Sequence, residues 1–351
     1  MRIEGNNVFL DNNTTVEQVR TITAEMEDIF IAANTSPEVV AAVPLFALTR
    51  YFHLLAGVSR DIVQRIPAMM HDGIFLHQGV HLNAVASMPA VKIVYIPEDL
   101  PAEIVAAIPR HVTTVSIIEN ATAAAVRAIP EHVRLIHISD RALPDAVRAI
   151  PVHVQTVNIR GPANIAAIAA IPDSVLHITF SDLPNGFIEA INNNVMPLDL
   201  INRALNIDNV DVALPDTYSL AFLLARTPEG VAILAANNNA LASQINAQTL
   251  NAIIPNGPHA GQSVAFWLVG TPEGRAILAA NNNALGLQIN AQTLNTVIQN
   301  GPYAGKSVAF WLAATSGGRA ILAANNNVLG SQINAQTLNT VIQNGPHAGM
   351  S

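Results

Sequence analysis

One pattern written at a fixed period restricts this chain more than any other feature. A proline preceded by an apolar residue returns at Pro67, Pro89, Pro109, Pro130, Pro151 and Pro172, at steps of 22, 20, 21, 21 and 21 residues. After the later prolines the apolar positions fall at Val112/Val115/Ile117, Val133/Ile136/Ile138, Val154/Val157/Ile159 and Val175/Ile178/Phe180. Val91/Val94/Ile96 and, more loosely, His71/Ile74/Leu76 keep the same spacing. The Val-x-Ile end of each unit alternates and is rich in β-branched residues, as a short strand with one buried face is. The return segment has helical spacing, with Val126/Ile129, Val147/Ile150 and Ile168/Ile171 among alanines, and proline then stops the helix. A single unit cannot bury its own apolar side, whereas stacked copies share a continuous core. The pattern therefore predicts an α/β solenoid with parallel strands inside and helices outside.

These residues resemble the bacterial leucine-rich repeats in which a Leu-Pro pair opens each turn, over Pro67 to Pro197. The chain departs from that family at one place. The asparagine that follows the strand in the family would fall at Asn120, Arg141, Pro162 and Leu183, so one position of four keeps it. The strand-to-helix loop is therefore expected to be organised differently. The resemblance implies a secreted effector of intracellular Gram-negative bacteria, made in the bacterial cytoplasm, delivered to the host cytosol and binding a host protein. Some members of the family are ubiquitin ligases with a catalytic cysteine, an activity that a chain with no cysteine cannot have.

A second repeat follows, with a longer period. Thr227-Pro228-Glu229-Gly230 returns as Thr271-Pro272-Glu273-Gly274 and as Thr315-Ser316-Gly317-Gly318, each step 44 residues. Thr-Pro marks a helix start, Asn290 is placed to cap the next helix, and Asn300-Gly301-Pro302 closes it. Each unit reads as three short helices, an α-helical solenoid that resembles armadillo or HEAT arrays in period and helix count. Phe187 to Val195 matches the start of this unit in degenerate form. The triple asparagines ending at Asn239, Asn283 and Asn327 read as helix terminators that tolerate left-handed backbone. Trp267 and Trp311 read as core. The third unit stops at Gly345 to Ser351 without the helix its predecessors carry, which predicts either a longer parent protein or self-association through the incomplete repeat.

The organisation expected is thus an acidic helical N-terminal cap over 1–60, leucine-rich repeats of about 21 residues over 61–186, and helical repeats over 187–351. The cap reading rests on Thr14 and Glu17 as a capping-box pair ahead of Val16, Val19, Ile22, Met26, Ile29 and Phe30, and on Ser36-Pro37 as a second helix start. Half the residues are apolar, yet no run reaches the ~20 that a membrane-spanning helix needs. The opening residues lack the apolar core of a signal peptide. A net charge of −8 with no basic run argues against nucleic acid or anionic membrane as partner.

No catalytic constellation stands out, and neither metal nor cofactor is expected. His111, His132 and His153 share one slot two residues after proline and read as structural. Function then falls to the inner sheet surface, where residues alternating with the core pair face the concave side. The expected partner-binding residues are Phe75, His77, Ile93, Tyr95, His137, Asn158, Arg160 and His177, with Phe75, Tyr95 and Ile93 forming an exposed apolar patch. The sequence therefore reads as a non-enzymatic scaffold for a protein partner. An enzyme with an unrecognised site at the junction of the two arrays, and a structural spacer, remain open alternatives.

Overall fold

A computed structural model describes residues 1–23, 25–44, 51–67, 73–97, 99–118, 120–206 and 217–338, and divides the chain into two units, Met1–Leu176 and His177–Ser351. The first unit is a leucine-rich-repeat solenoid. Its strands are β1 (Arg2–Glu4), β2 (Asn7–Leu10), β3 (Asp28–Ile31), β4 (Tyr51–Leu54), β5 (Gly73–Leu76), β6 (Ile93–Ile96), β7 (Thr114–Ile117), β8 (Leu135–Ile138) and β9 (Thr156–Ile159). They lie side by side in chain order, parallel from β2 onward, and one-turn helices such as Ala123–Arg127 and Pro144–Arg148 return the chain outside the sheet.

The apolar positions of the repeat are the core. Val112, Val115, Ile117, Val126 and Ile129 keep at most 3% exposure, as do Val133, Ile136, Ile138 and Val147 in the next unit. Burying each such side chain contributes about 1.5–3 kcal/mol, but only because a neighbouring unit covers it. In-register pairing of Val115 with Ile136 and Val157, and of Ile117 with Ile138 and Ile159, makes those columns continuous. Each proline carbonyl accepts the N–H of the valine three residues on, at Val112, Val133, Val154 and Val175, so proline sets the turn into the strand as well as ending the helix.

The expected helical cap over 1–60 is replaced by more of the same solenoid, closed by a hairpin. Ile29 and Phe30, read as one helical face, lie on β3, where alternation and not a 3.6 period governs, and Val8/Leu10, Ile29/Ile31 and Phe52/Leu54 continue the core columns. β1 pairs antiparallel with β2, and its charged residues Arg2 and Glu4 protect the sheet edge. The capping box is real but sits one residue later, on Thr15 and Gln18, while Thr14 bonds Asp11 instead. The loop after the strand takes two forms, since Arg141, Pro162 and Leu183 are without positive φ and the four units from β4 to β7 are left-handed at this slot. Gly57, Gly79, Asp99 and Asn120 all occupy the third position after their strand with positive φ, so in these four units the slot needs left-handed backbone, which asparagine is one way to supply.

The second unit opens with β10 (His177–Phe180) and is otherwise helical among its described residues. Each 44-residue step holds three α-helices and a 3-10 turn, as in Val264–Gly270, Pro272–Asn283, Gly286–Gln288 and Ala291–Asn295. Side-chain caps repeat with the sequence. Ser263 accepts from Phe266 N–H at 3.2 Å, Thr271 from Gly274 N–H at 3.0 Å and Asn290 from Thr293 N–H at 2.8 Å. Asn281, Asn282 and Asn283 take φ of 50°, 58° and 63°, the left-handed ending expected of the triple asparagines. Trp267 and Trp311 are half-buried, stacked edge-on with Tyr303 or under Lys306, and so lie at the rim of the core and not inside it. No described helix is long and apolar enough to cross a membrane. Gly345 to Ser351, where the last repeat is read as incomplete, lie outside the described residues.

A second set of asparagines ties the helical repeats together. Asn251 donates from Nδ2 to the Gln288 carbonyl at 2.7 Å and accepts the Asn290 N–H on Oδ1 at 2.9 Å. Asn295 makes the same pair with Gln332 and Asn334, and Asn206 with Gln244 and Asn246. An amide suits this because it both donates and accepts, so one side chain satisfies two backbone groups of the next unit.

The glycine of Thr-Pro-Glu-Gly is a contact residue. A Cβ on Gly274 would stand 2.2 Å from the Leu268 carbonyl oxygen, whereas one on Gly270 would meet nothing within 4 Å. Gly274→Ala is therefore expected to lower stability by about 1–3 kcal/mol or more, through backbone overlap that no rotamer relieves. Gly270→Ala, in the same region, is expected to be neutral or stabilising. Urea midpoints of the two variants check the pair.

Candidate functional site

The face of the sheet opposite the Val-x-Ile pair carries one central column. Pairing places Phe9, Phe30, His53 and Phe75 on successive strands β2 to β5, then Tyr95, Ser116, His137 and Asn158 on β6 to β9. The sequence assigned this face correctly but not its exposure. Ile93 and Tyr95 keep 8% and 7% of their surface, and His137 and Asn158 keep none, so the expected exposed apolar patch is largely closed. Phe75, His77, Arg160 and His177 are half-buried, the last of them in the second unit. Strands stand only ~4.8 Å apart, and side chains on the inside of a bend converge further, so large residues one strand apart cover each other.

In the first half of the column that crowding makes a stack. Centroid separations run 4.6 Å from Phe9 to Phe30, 4.0 Å to His53, 4.5 Å to Phe75 and 4.1 Å to Tyr95, with ring planes within 17° of parallel. Arg2 closes the outer end, its guanidinium carbon 4.3 Å from the Phe9 centroid. Tyr51 braces the other end, edge-on to Phe75 and Tyr95 at 5.4 and 5.5 Å. Gly73 makes this possible, since a Cβ there would lie 2.6 Å from Tyr95 Cε2 and 2.7 Å from the Ile93 carbonyl oxygen. Sequence reasoning found Phe75 and Tyr95 and missed Phe9, Phe30, Tyr51 and His53. Their signal was present, because Phe9, Phe30, His53, Phe75 and Tyr95 follow each other at 21, 23, 22 and 20 residues, the period of the repeat itself.

The histidine in the stack belongs to a chain of hydrogen bonds. His53 Nε2 lies 3.3 Å from Asp28 Oδ1, and His53 Nδ1 lies 3.0 Å from His77 Nε2. A carboxylate only accepts, so neutral His53 donates from Nε2 and accepts on Nδ1; His77 then donates from Nε2 and is left with a lone pair on Nδ1. Burial pushes His53 below the ordinary imidazole range, against the pull of Asp28, and burial lowers His77 as well. Both are therefore neutral at neutral pH, the state in which this tautomer pattern holds.

The second half of the column is polar. His137 is enclosed with no hydrogen-bond partner on either ring nitrogen, and burial, helped by the Arg160 charge, pushes it down to about 3. Arg160 donates from Nε to Asn158 Oδ1 at 3.4 Å. At the strand entrances, His111 Nε2 lies 2.9 Å from the Pro89 carbonyl, whereas Nε2 of His153 in the same slot is buried without a partner among the described residues. No three His, Cys, Asp or Glu side chains among the described residues are grouped to hold a metal ion. The second unit has a cleft of about 640 Å³ lined by Gln248, Asn251, Ile253, Pro255, Gln288 and Asn290, whose groups are amides and apolar surface with no titratable side chain.

No family model matches the chain, and no curated protein matches it in sequence. Among solved structures, the leucine-rich repeat-containing protein LegL7 from Legionella pneumophila is 12% identical with a TM-score of 0.37, over 56% of this chain and 85% of that one. The circular leucine-rich-repeat protein CroV588 is 12% identical with a TM-score of 0.22, over 51% and 31%.

Two substitutions test this description of the sheet face. Gly73→Ala is expected to unstack Tyr95 from Phe75 and cost about 1–3 kcal/mol, read as loss of near-ultraviolet dichroism and a lower denaturation midpoint. His137→Leu removes a buried group without partners and is expected to raise stability at neutral pH by about 1–3 kcal/mol. Because the folded pKa of His137 lies below the unfolded value, the unfolded chain binds more protons as pH falls from about 6.5 toward 3, and stability declines across that window. In His137→Leu that decline should be shallower by about 1.4 kcal/mol per pH unit, measured by urea denaturation at stepped pH.

Proposed function

We propose that this protein is a non-enzymatic scaffold that binds a protein partner on the sheet face of its first unit, and that it acts as a bacterial effector on a host protein in the host cytosol. The observation that carries the binding reading is the stack from Phe9 to Tyr95, with half-buried Phe9, Phe30 and Phe75 along one line and half-buried His77 beside it. Rings already locked by their neighbours lose little freedom on binding, so the ordering cost that weakens flexible surfaces is small here. Aromatic side chains in such a setting are the residue types that dominate interface energetics. The effector reading rests on the resemblance of the proline-marked repeats to Leu-Pro repeat effectors.

Affinity capture from host-cell lysate with the whole chain tests the proposal. Phe75→Ala and His77→Ala are expected to weaken capture of a specific partner by roughly 30-fold each, about 2 kcal/mol. Arg148→Ala should leave it unchanged, since Arg148 sits on the outer helices with its guanidinium on Asp145 at 2.6 Å. Capture that survives loss of Phe75 and His77 in a folded chain places the partner elsewhere.

A further inference from the structure

The scaffold reading leaves the chemistry of the partner open, and the relay from Asp28 through His53 to His77 narrows it. In the neutral relay, the atoms left unengaged only accept hydrogen bonds. They are the Nδ1 lone pair of His77, which has no partner among the described residues, and the oxygen of Asp28 not engaged by His53. The best complement is a group that donates and offers no acceptor of its own, which among side chains means guanidinium, ammonium or indole N–H, and the charge of the relay then favours the two cations.

Charge and precedent point the same way. Asp28 carries the relay's charge, both imidazoles being neutral, and exposed Glu27 precedes it. Of the flanking strands, β4 contributes Tyr51 and β6 contributes Tyr95, neither charged at neutral pH. Exposed Lys92 precedes β6, and Arg2 on β1 is engaged by Glu4 at 3.3 Å and by the Phe9 ring. This last contact shows that the column already accepts a guanidinium from the protein's own chain against one of its rings. A planar guanidinium can bond an acceptor while lying on aromatic surface, which a hydrated ammonium does less well.

We propose that the Asp28–His53–His77 relay is an arginine-recognition site, in which a guanidinium from the protein partner donates to His77 Nδ1 beside the Phe30 and Phe75 rings. This rests on the reading of the sheet face as the partner surface and adds the identity of one anchor. Asp28 is a positioning residue here, because through His53 it fixes which nitrogen of His77 carries the lone pair. On acidification His77 takes a proton on Nδ1, becomes a donor and repels the cation, so binding is lost as the pH falls below the ordinary imidazole range, because burial depresses both rings.

The test is a histidine side-chain ¹⁵N NMR titration of the full chain at neutral pH, with His77 assigned through His77→Gln. N-acetyl-arginine methylamide at millimolar concentration is the probe. A saturable shift at His77 Nδ1 is expected, absent with the isosteric uncharged citrulline derivative, weaker with the lysine derivative, and lost at acidic pH. Asp28→Asn, which keeps the shape, removes the charge and frees the tautomer, should abolish the shift while the circular dichroism spectrum stays unchanged. No shift, an equal shift with citrulline or lysine, or a shift that survives Asp28→Asn overturns the assignment. Such a failure is separable from failure of the scaffold reading, because lysate capture reports any partner on this face, whether or not it offers an arginine.

Discussion

The coupling of one repeat's buried pair to the next, Val115 against Ile136 and Val157, Ile117 against Ile138 and Ile159, is the contact on which the first unit depends. Each unit is about 21 residues of short strand and one-turn helix, too small to enclose a core and, at four or five residues, too short for an isolated helix to persist. Stability therefore belongs to the spaces between units. That places a strict demand on register, because a slip of one residue would turn Val115 outward and Ser116 into the core. The proline carbonyl that accepts each following valine N–H holds the entry to the strand, and the left-handed slot at Gly57, Gly79, Asp99 and Asn120 holds the exit.

The same demand explains which parts of the fold the sequence disclosed. Where proline marks the period, from Pro67 on, strands, helices and the core columns could all be read, because the punctuation and the alternation agree. Upstream the marker weakens: Ile22 is followed by threonine, not proline. With the marker gone, Val16, Val19, Ile22, Met26, Ile29 and Phe30 also fit a helical period, and a four-residue strand is too short to outvote it. In the helical repeats the caps could be read, whereas the roles of Asn251 and Asn295 could not, since their partners, Gln288 and Gln332, lie 37 residues further along the chain.

The sheet face was read correctly in direction and incorrectly in exposure, and the reason is physical. Alternation tells which way a side chain points but says nothing of how closely its neighbours crowd it. Rings one strand apart stack nearly flat, and the result is a surface whose parts are mutually locked. That bears on chemistry as well as packing, because a histidine held between Phe30 and Phe75 at 4.0 and 4.5 Å cannot turn its ring to trade nitrogens, so the direction of the hydrogen bonds from Asp28 to His77 is fixed. His137 shows the other outcome, an imidazole enclosed with nothing to bond. A fold built by repetition places a residue in this column at every turn, whether or not the local surroundings can satisfy it.

The amide links at Asn206, Asn251 and Asn295 carry a consequence for how such a chain changes over evolutionary time. The links at Asn251 and Asn295 join groups at one fixed interval, so a duplicated segment of that length arrives with its own donor, its own acceptor and a neighbour already shaped to meet them. Growth by whole units needs no new interface to be invented. The Asn206 link, which spans one residue more, shows that a short insertion can be absorbed between repeats, provided that the amide still meets the same two backbone groups.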